Sequence, residues 1–113
     1  MSVYDWVKEF PGDITVCDPR GIILEMNDKA VRSLEVEGGR KLIGSNLLDC
    51  HPEPARSKLV GMLAACQTNI YTIEKKGIKK LIYQTPWYQN GVYAGFLELS
   101  LEIPFDMLHF IRT

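Results

Sequence analysis

Four sets of residues in this 113-residue chain carry side chains capable of chemistry. Asp49-Cys50-His51 places an acid, a thiol and an imidazole in succession. Cys17, Cys50 and Cys66, with His51 and His109, are the soft and borderline metal ligands. Glu98 and Glu102 recur at an even spacing, on one face of a strand. Tyr83, Gln84 and Trp87 supply polar and aromatic groups near the end of the chain. The first three sets predict no reaction. Neighbouring side chains rarely meet as nucleophile and base, because a triad draws its members from separate segments. An odd cysteine count without CxxC spacing suits neither a disulfide framework nor a zinc site, so reduced, mostly buried thiols are expected. Alternate carboxylates on a strand are expected to be solvated. No glycine run for an oxyanion hole, phosphate loop or paired-carboxylate spacing is present. No catalytic residue and no metal site is assigned.

The composition narrows the class further. Thirteen basic against fourteen acidic side chains give a formal charge of −1. Non-specific nucleic-acid binding relies on clustered positive charge, so nucleic acid is not an expected partner. No apolar run approaches the roughly 20 residues that cross a bilayer, and the first residues show no export signal. One cytoplasmic domain without a membrane partner is the expectation.

The elements that must position these groups follow from local patterns. Ile14–Cys17 and Ile22–Met26 read as strands joined by the turn Asp18-Pro19-Arg20-Gly21. Asn27 is a helix N-cap, with Ala30, Val31 and Leu34 on the apolar face and Gly38-Gly39 as the stop. Ala55, Leu59, Met62, Leu63 and Cys66 share one face of a longer helix. Residues 70–75, 81–88 and 92–103 then form a meander, with Lys76-Gly77 and Asn90-Gly91 as its turns. In the last strand Leu97, Leu99, Leu101 and Ile103 alternate with Glu98, Ser100 and Glu102. The leucine face is expected to be buried, which sends Phe96 to the outside. The fold class is α+β: a five-stranded antiparallel sheet with short helices and one longer helix on one face.

This order resembles the PAS domain, over about residues 13–103. Ile14–Asp18, Gly21 and Ile22–Asn27 look like the family's opening hairpin and asparagine. Ala30 falls on its usual alanine, Leu42-Ile43-Gly44-Ser45-Asn46 is similar to its hydrophobic-Ile-Gly-x-Asn lead-in, and Tyr93-Ala94-Gly95-Phe96 resembles its closing strand. The division expected is an amphipathic helix over 1–12, the PAS domain over 13–104 and an apolar tail over 105–113. With no output domain in view, the resemblance implies a stand-alone sensor or adaptor, or a fragment cut to resemble one.

PAS domains differ in what lies between sheet and helices. Pro52–Ser57 resembles the start of the haem-bearing helix of oxygen-sensing members, but Leu59 stands where they carry the ligating histidine, and His51 lies eight residues earlier. Light-sensing members carry a reactive cysteine after Gly-x-Asn, where this chain has Leu47; non-covalent flavin stays open. The expected function is a non-enzymatic sensory module holding a small molecule, with the cofactor unassigned and haem or flavin disfavoured. Leu47, Leu59, Leu63, Leu97 and Leu99 are the candidate walls, and Tyr83, Gln84 and Trp87 the candidate polar and aromatic contacts. Burial favours the face of Leu81, Tyr83, Thr85 and Trp87 inward, whereas aligning Gly77 with the family's turn favours Ile82 and Gln84; both remain open.

The alternative is a ligand-free adaptor that binds a signalling protein or a second copy of itself. Val3, Trp6, Val7 and Phe10 recur at i, i+3, i+4 and i+7, an amphipathic helix of the kind PAS domains lay over the outer sheet face to dimerise. With Phe96 as the expected receiving residue, these five form the candidate homodimer interface.

Overall fold

The computed structural model describes residues 5–113. One turn of helix, α1 (Asp5–Lys8), precedes β1 (Asp13–Cys17) and β2 (Ile23–Met26). Next come α2 (Asp28–Ser33), two 3-10 turns at Gly39–Leu42 and Leu47–Cys50, and α3 (Ala55–Ala65). The chain closes with β3 (Asn69–Lys75), β4 (Ile78–Gln89) and β5 (Val92–Ile103). The strands form one antiparallel sheet in the order β2-β1-β5-β4-β3. No helix among the described residues is long and apolar enough to cross a membrane.

Asn27 ties the opening half together. Its Oδ1 accepts from the Ala30 amide at 3.1 Å, capping α2, and from the Ile14 amide at 3.0 Å. Its Nδ2 donates to the Gly12 and Val7 carbonyls at 2.8 and 3.1 Å. One side chain, 3% exposed, thereby fixes α1, β1 and α2 relative to one another. The hairpin turn is closed by Asp18, whose Oδ1 accepts from the Arg20 and Ile22 amides.

The β4–β5 hairpin starts from Asn90-Gly91, both with φ > 0. Tyr88 pairs with Tyr93, but Trp87 pairs with Gly95, so Ala94 is passed over and the register slips by one. Gly95 permits this. Its φ is +137°, and a Cβ there would lie 1.9 Å from the Cys17 carbonyl oxygen.

That bulge decides which side chains share a face. Beyond it Gln84 is paired with Glu98, which is itself paired with Thr15, while Leu99 is paired with Tyr83 and Ile14. The row of Asn69, Gln84, Glu98 and Thr15 therefore faces the helices. The row of Ile70, Tyr83, Leu99 and Ile14 lies on the outer face. The expected orientation of β5 is reversed: the leucine set lies on the outer face, and Phe96, 7% exposed, packs inward on Cys17 and Leu63. Alternation separates two faces but does not say which one the helices cover.

The expected N-terminal helix is also shorter. It ends at Lys8, leaving Phe10 outside it, and Val3 lies outside the described residues. Phe10 nevertheless reaches the outer face, where its ring and Leu101 flank Gly12. Trp6 is 66% exposed. Two small clusters make the core between sheet and helices: Cys17, Leu63 and Phe96, and Ile23, Met26 and Ala30. No large side chain among the described residues is completely buried. The layer is incompletely filled, and the space left over is the site.

Candidate functional site

A cavity of about 310 Å³ lies between the centre of the sheet and the helical layer. Its walls come from every part of the fold. Leu59, Met62 and Leu63 descend from α3, Leu47 from the second 3-10 turn, and Leu34 and Leu42 from the segment after α2. The opposite wall is sheet: Thr15, Cys17, Ile23, Tyr71, Gln84, Phe96, Leu97 and Glu98. Helical spacing delivers the α3 leucines, since i and i+4 share a face. The volume is at the small end of about 300–1,000 Å³ for ligand sites, room for about ten waters at about 30 Å³ each.

The floor carries a relay of polar groups across three strands. Asn69 Nδ2 on β3 donates to Gln84 Oε1 on β4 at 3.0 Å. Gln84 Nε2 donates onward to Glu98 Oε1 on β5 at 3.1 Å. Burial raises the Glu98 carboxyl above its ordinary range, and Asp13 adds to the rise; the Gln84 bond and nearby His51 oppose it. Burial also pushes the Tyr71 phenol up, reinforced by the Glu98 charge. The Cys17 thiol is raised chiefly by burial, with the Phe96 amide acting against it.

At the rim stand Cys50, His51 and Glu37. His51 Nδ1 is in hydrogen-bonding contact with the Leu47 carbonyl oxygen. A carbonyl only accepts, so Nδ1 carries the proton, and a neutral ring turns an accepting Nε2 outward. Asn46 Oδ1 accepts from the Leu48 amide, and its Nδ2 donates to the Arg20 carbonyl. The Gly-Ser-Asn segment thus holds the rim against the first hairpin. Arg56 donates to the Leu48 carbonyl at 2.9 Å, bracing α3 against the same turn. No group of three or more potential metal ligands is gathered among the described residues.

Of the eight candidate ligand contacts, the structure brings Leu47, Leu59, Leu63, Gln84 and Leu97 to the cavity. Leu97 borders it although alternation sets it on the face opposite Glu98. Tyr83, Trp87 and Leu99 do not line it. Tyr83 and Leu99 pair with each other on the outer face, and Trp87 donates its indole N–H to the Cys17 carbonyl at 3.0 Å. Phe96, expected at an interface, is a cavity wall. Sequence reasoning missed Tyr71, Thr15 and above all Glu98, which it read as a solvated carboxylate. The signal was the row of Asn69, Gln84 and Glu98, which exists only in the bulged register.

No family model and no curated protein sequence matches the chain. Solved structures do. A C-terminal domain from Streptococcus mutans superposes with a TM-score of 0.69 at 16% identity, over 85% of this chain and 78% of that one. The Aer2 receptor from Vibrio cholerae, described as a dual PAS-heme oxygen sensor, gives 0.58 at 19% identity, over 82% and 95%. The PAS domain of BvgS from Bordetella pertussis gives 0.62 at 16% identity, over 87% and 81%.

Proposed function

We propose that this chain, which has the PAS fold, is a non-enzymatic sensory module that holds a small organic molecule between its sheet and its helices. The observation that carries the reading is the cavity itself: apolar walls around one hydrogen-bonded carboxylate, the makeup of a small-molecule site. A packed core would fill such a space, because an empty one forfeits dispersion contacts on every wall. Leu47, Leu59, Leu63 and Phe96 supply contact area, while Gln84 and Glu98 supply orientation. Tyr83, Trp87 and Leu99 have no part in this site. A catalytic reading gains nothing from the rim, where His51 is bound to the Leu47 carbonyl and Cys50 is exposed beside it.

The sensor of Vibrio cholerae carries haem, but the residues here do not fit one. Leu59, at the position where the resemblance expects an iron ligand, is a wall of the cavity and offers no donor atom. A volume of about 310 Å³ also suits a compact metabolite rather than a macrocycle or a flavin nucleotide.

Ligand-observed NMR with a library of small fragments tests the reading. Fragments should bind the native chain and be lost from Leu59→Trp, whose indole enters the cavity. Undiminished fragment binding by the filled variant would overturn it.

A second reading, homodimerisation, rests on an independent observation. The surface of 8265 Å² exceeds the about 6,300 Å² expected of a monomer of this mass. The radius of gyration of 15.1 Å likewise exceeds the roughly 13 Å of a compact domain this long. The exposed apolar tail, with Phe105, Met107, Leu108, Phe110 and Ile111 52–85% exposed, contributes to that excess, so the sheet face is argued from its own residues. Ile70, 53% exposed, extends the outer row of Ile14, Leu99 and Tyr83, with Trp6, Val7 and Phe10 at the N-terminal side. This face, without Phe96, is the proposed contact between two copies. Sedimentation equilibrium should show a dimer that Ile70→Lys dissociates. A monomer at all concentrations would refute it.

A further inference from the structure

The cavity is lined by charged as well as apolar groups. Its border includes two carboxylates, Glu98 and Glu37, and the half-buried Asp13 lies close enough to Glu98 to act on its charge. Among the described residues no lysine or arginine lines it. The one potential cation, His51, is held by the Leu47 carbonyl at Nδ1 and presents an accepting nitrogen when neutral. The amide donors on the floor already have work: Gln84 Nε2 donates to Glu98 Oε1, and Asn69 Nδ2 to Gln84, which leaves the Tyr71 and Thr15 hydroxyls as neutral donors on the same wall.

Glu98 is therefore the unbalanced group. One of its oxygens takes the Gln84 hydrogen bond, and among the described residues no other hydrogen bond reaches its carboxylate and no lysine or arginine pairs with it. A carboxylate drawn out of water in this way is stabilised by a positively charged donor at the same depth. The free acceptor, Glu98 Oε2, calls for an N–H group. The surrounding leucines and Phe96 call for an apolar body.

We infer that the occupant is a small organic cation, an apolar amine or amidine whose N–H groups bind Glu98 while its body packs on Leu59, Leu63 and Phe96. This inference rests on the small-molecule reading of the cavity. It adds the sign of the charge and the residue that reads it. An anionic metabolite would instead bring a further negative charge beside Glu98 and Glu37, which costs several-fold in affinity or more.

Two compounds of matched size and opposite charge test it: phenethylamine and phenylacetate, titrated into the isotopically labelled chain and followed by amide NMR shifts. Phenethylamine should shift the amides of Gln84, Glu98 and Leu63 and bind about tenfold or more tighter than phenylacetate. Glu98→Gln should abolish that preference, and Glu98→Asp, which keeps the charge and guards against a folding defect, should retain it. Equal cavity shifts from both compounds, or a preference that survives Glu98→Gln, would overturn the charge assignment and leave the cavity reading standing. No cavity shifts from either compound would overturn both.

Discussion

Replacing Asn27 by alanine removes one side chain and breaks five hydrogen bonds at once. The Ile14 and Ala30 amides lose their acceptor, and the Gly12, Val7 and Phe10 carbonyls lose their donor. At 3% exposure, Asn27 leaves no room for water to take over without opening the junction of α1, β1 and α2. Loss of the α2 cap alone costs about 1 kcal/mol. Each buried group left unpaired costs about 1–3 kcal/mol, and beside the capped Ala30 amide the Ile14 N–H and Gly12 C=O bonds are buried. The expected total is about 3–5 kcal/mol, a large part of the about 5–15 kcal/mol available to a domain. With a urea dependence of about 1–3 kcal/mol per molar, the unfolding midpoint should fall by about 1 M or more. Equilibrium urea unfolding followed by circular dichroism measures this directly. Asn27→Ser should fall between, because its hydroxyl keeps the cap and loses the reach to Gly12. A loss under about 1 kcal/mol in Asn27→Ala would refute the claim that this one side chain joins the three elements.

The other predictions address the site and its support. Gly95→Ala should destabilise the fold by about 2 kcal/mol or more, since the methyl meets the Cys17 carbonyl and the backbone is at φ +137°; an unchanged melting temperature would contradict the bulge. The Glu98 carboxyl is raised in the folded chain, so the native state binds more protons than the unfolded one near that range. Stability is then fullest below the ordinary Glu value of about 4.3 and is lost as pH rises through the raised folded value. The groups facing it are Gln84, His51, Asp13 and Tyr71. Ligand-free Glu98→Gln should melt higher than wild type at pH 8, with the gap narrowing toward pH 4; a constant gap would argue against a buried carboxylate. Cys50, exposed at the rim, should react with a thiol reagent in the native protein, while Cys17 should react only after unfolding. Mass spectrometry of the labelled peptides distinguishes them.

Much of the fold was legible because local chemistry is decisive where it occurs. Asn27 followed by Asp28 and Ala30 reads as a cap, and the structure uses it as one. Asp18-Pro19-Arg20-Gly21 and Asn90-Gly91 mark turns that exist. The face of α3 emerges with Leu63 buried and Leu59, Met62 and Cys66 partly so, though Ala55 stays exposed. The orientation of the sheet was not legible, for two physical reasons. Period-two alternation looks the same from either side, and the more apolar face of β5 turned out to be the outer one. Counting strictly outward from Asn90-Gly91 would set Gln84 beside Leu97. The bulge at Ala94 and Gly95 sets it beside Glu98 instead. That displacement builds the polar floor of the cavity, and only the glycine hints at it. Asn69 and Tyr71 join the site through cross-strand pairing, which no local pattern encodes.

Native mass spectrometry of the freshly purified, untagged chain, compared with its denatured mass, tests the central claim most directly. A sensory module with an occupied cavity should carry a small organic mass in the native spectrum, absent after denaturation and absent from Leu59→Trp. A native mass equal to the chain alone, or an added mass that Leu59→Trp retains, would contradict it.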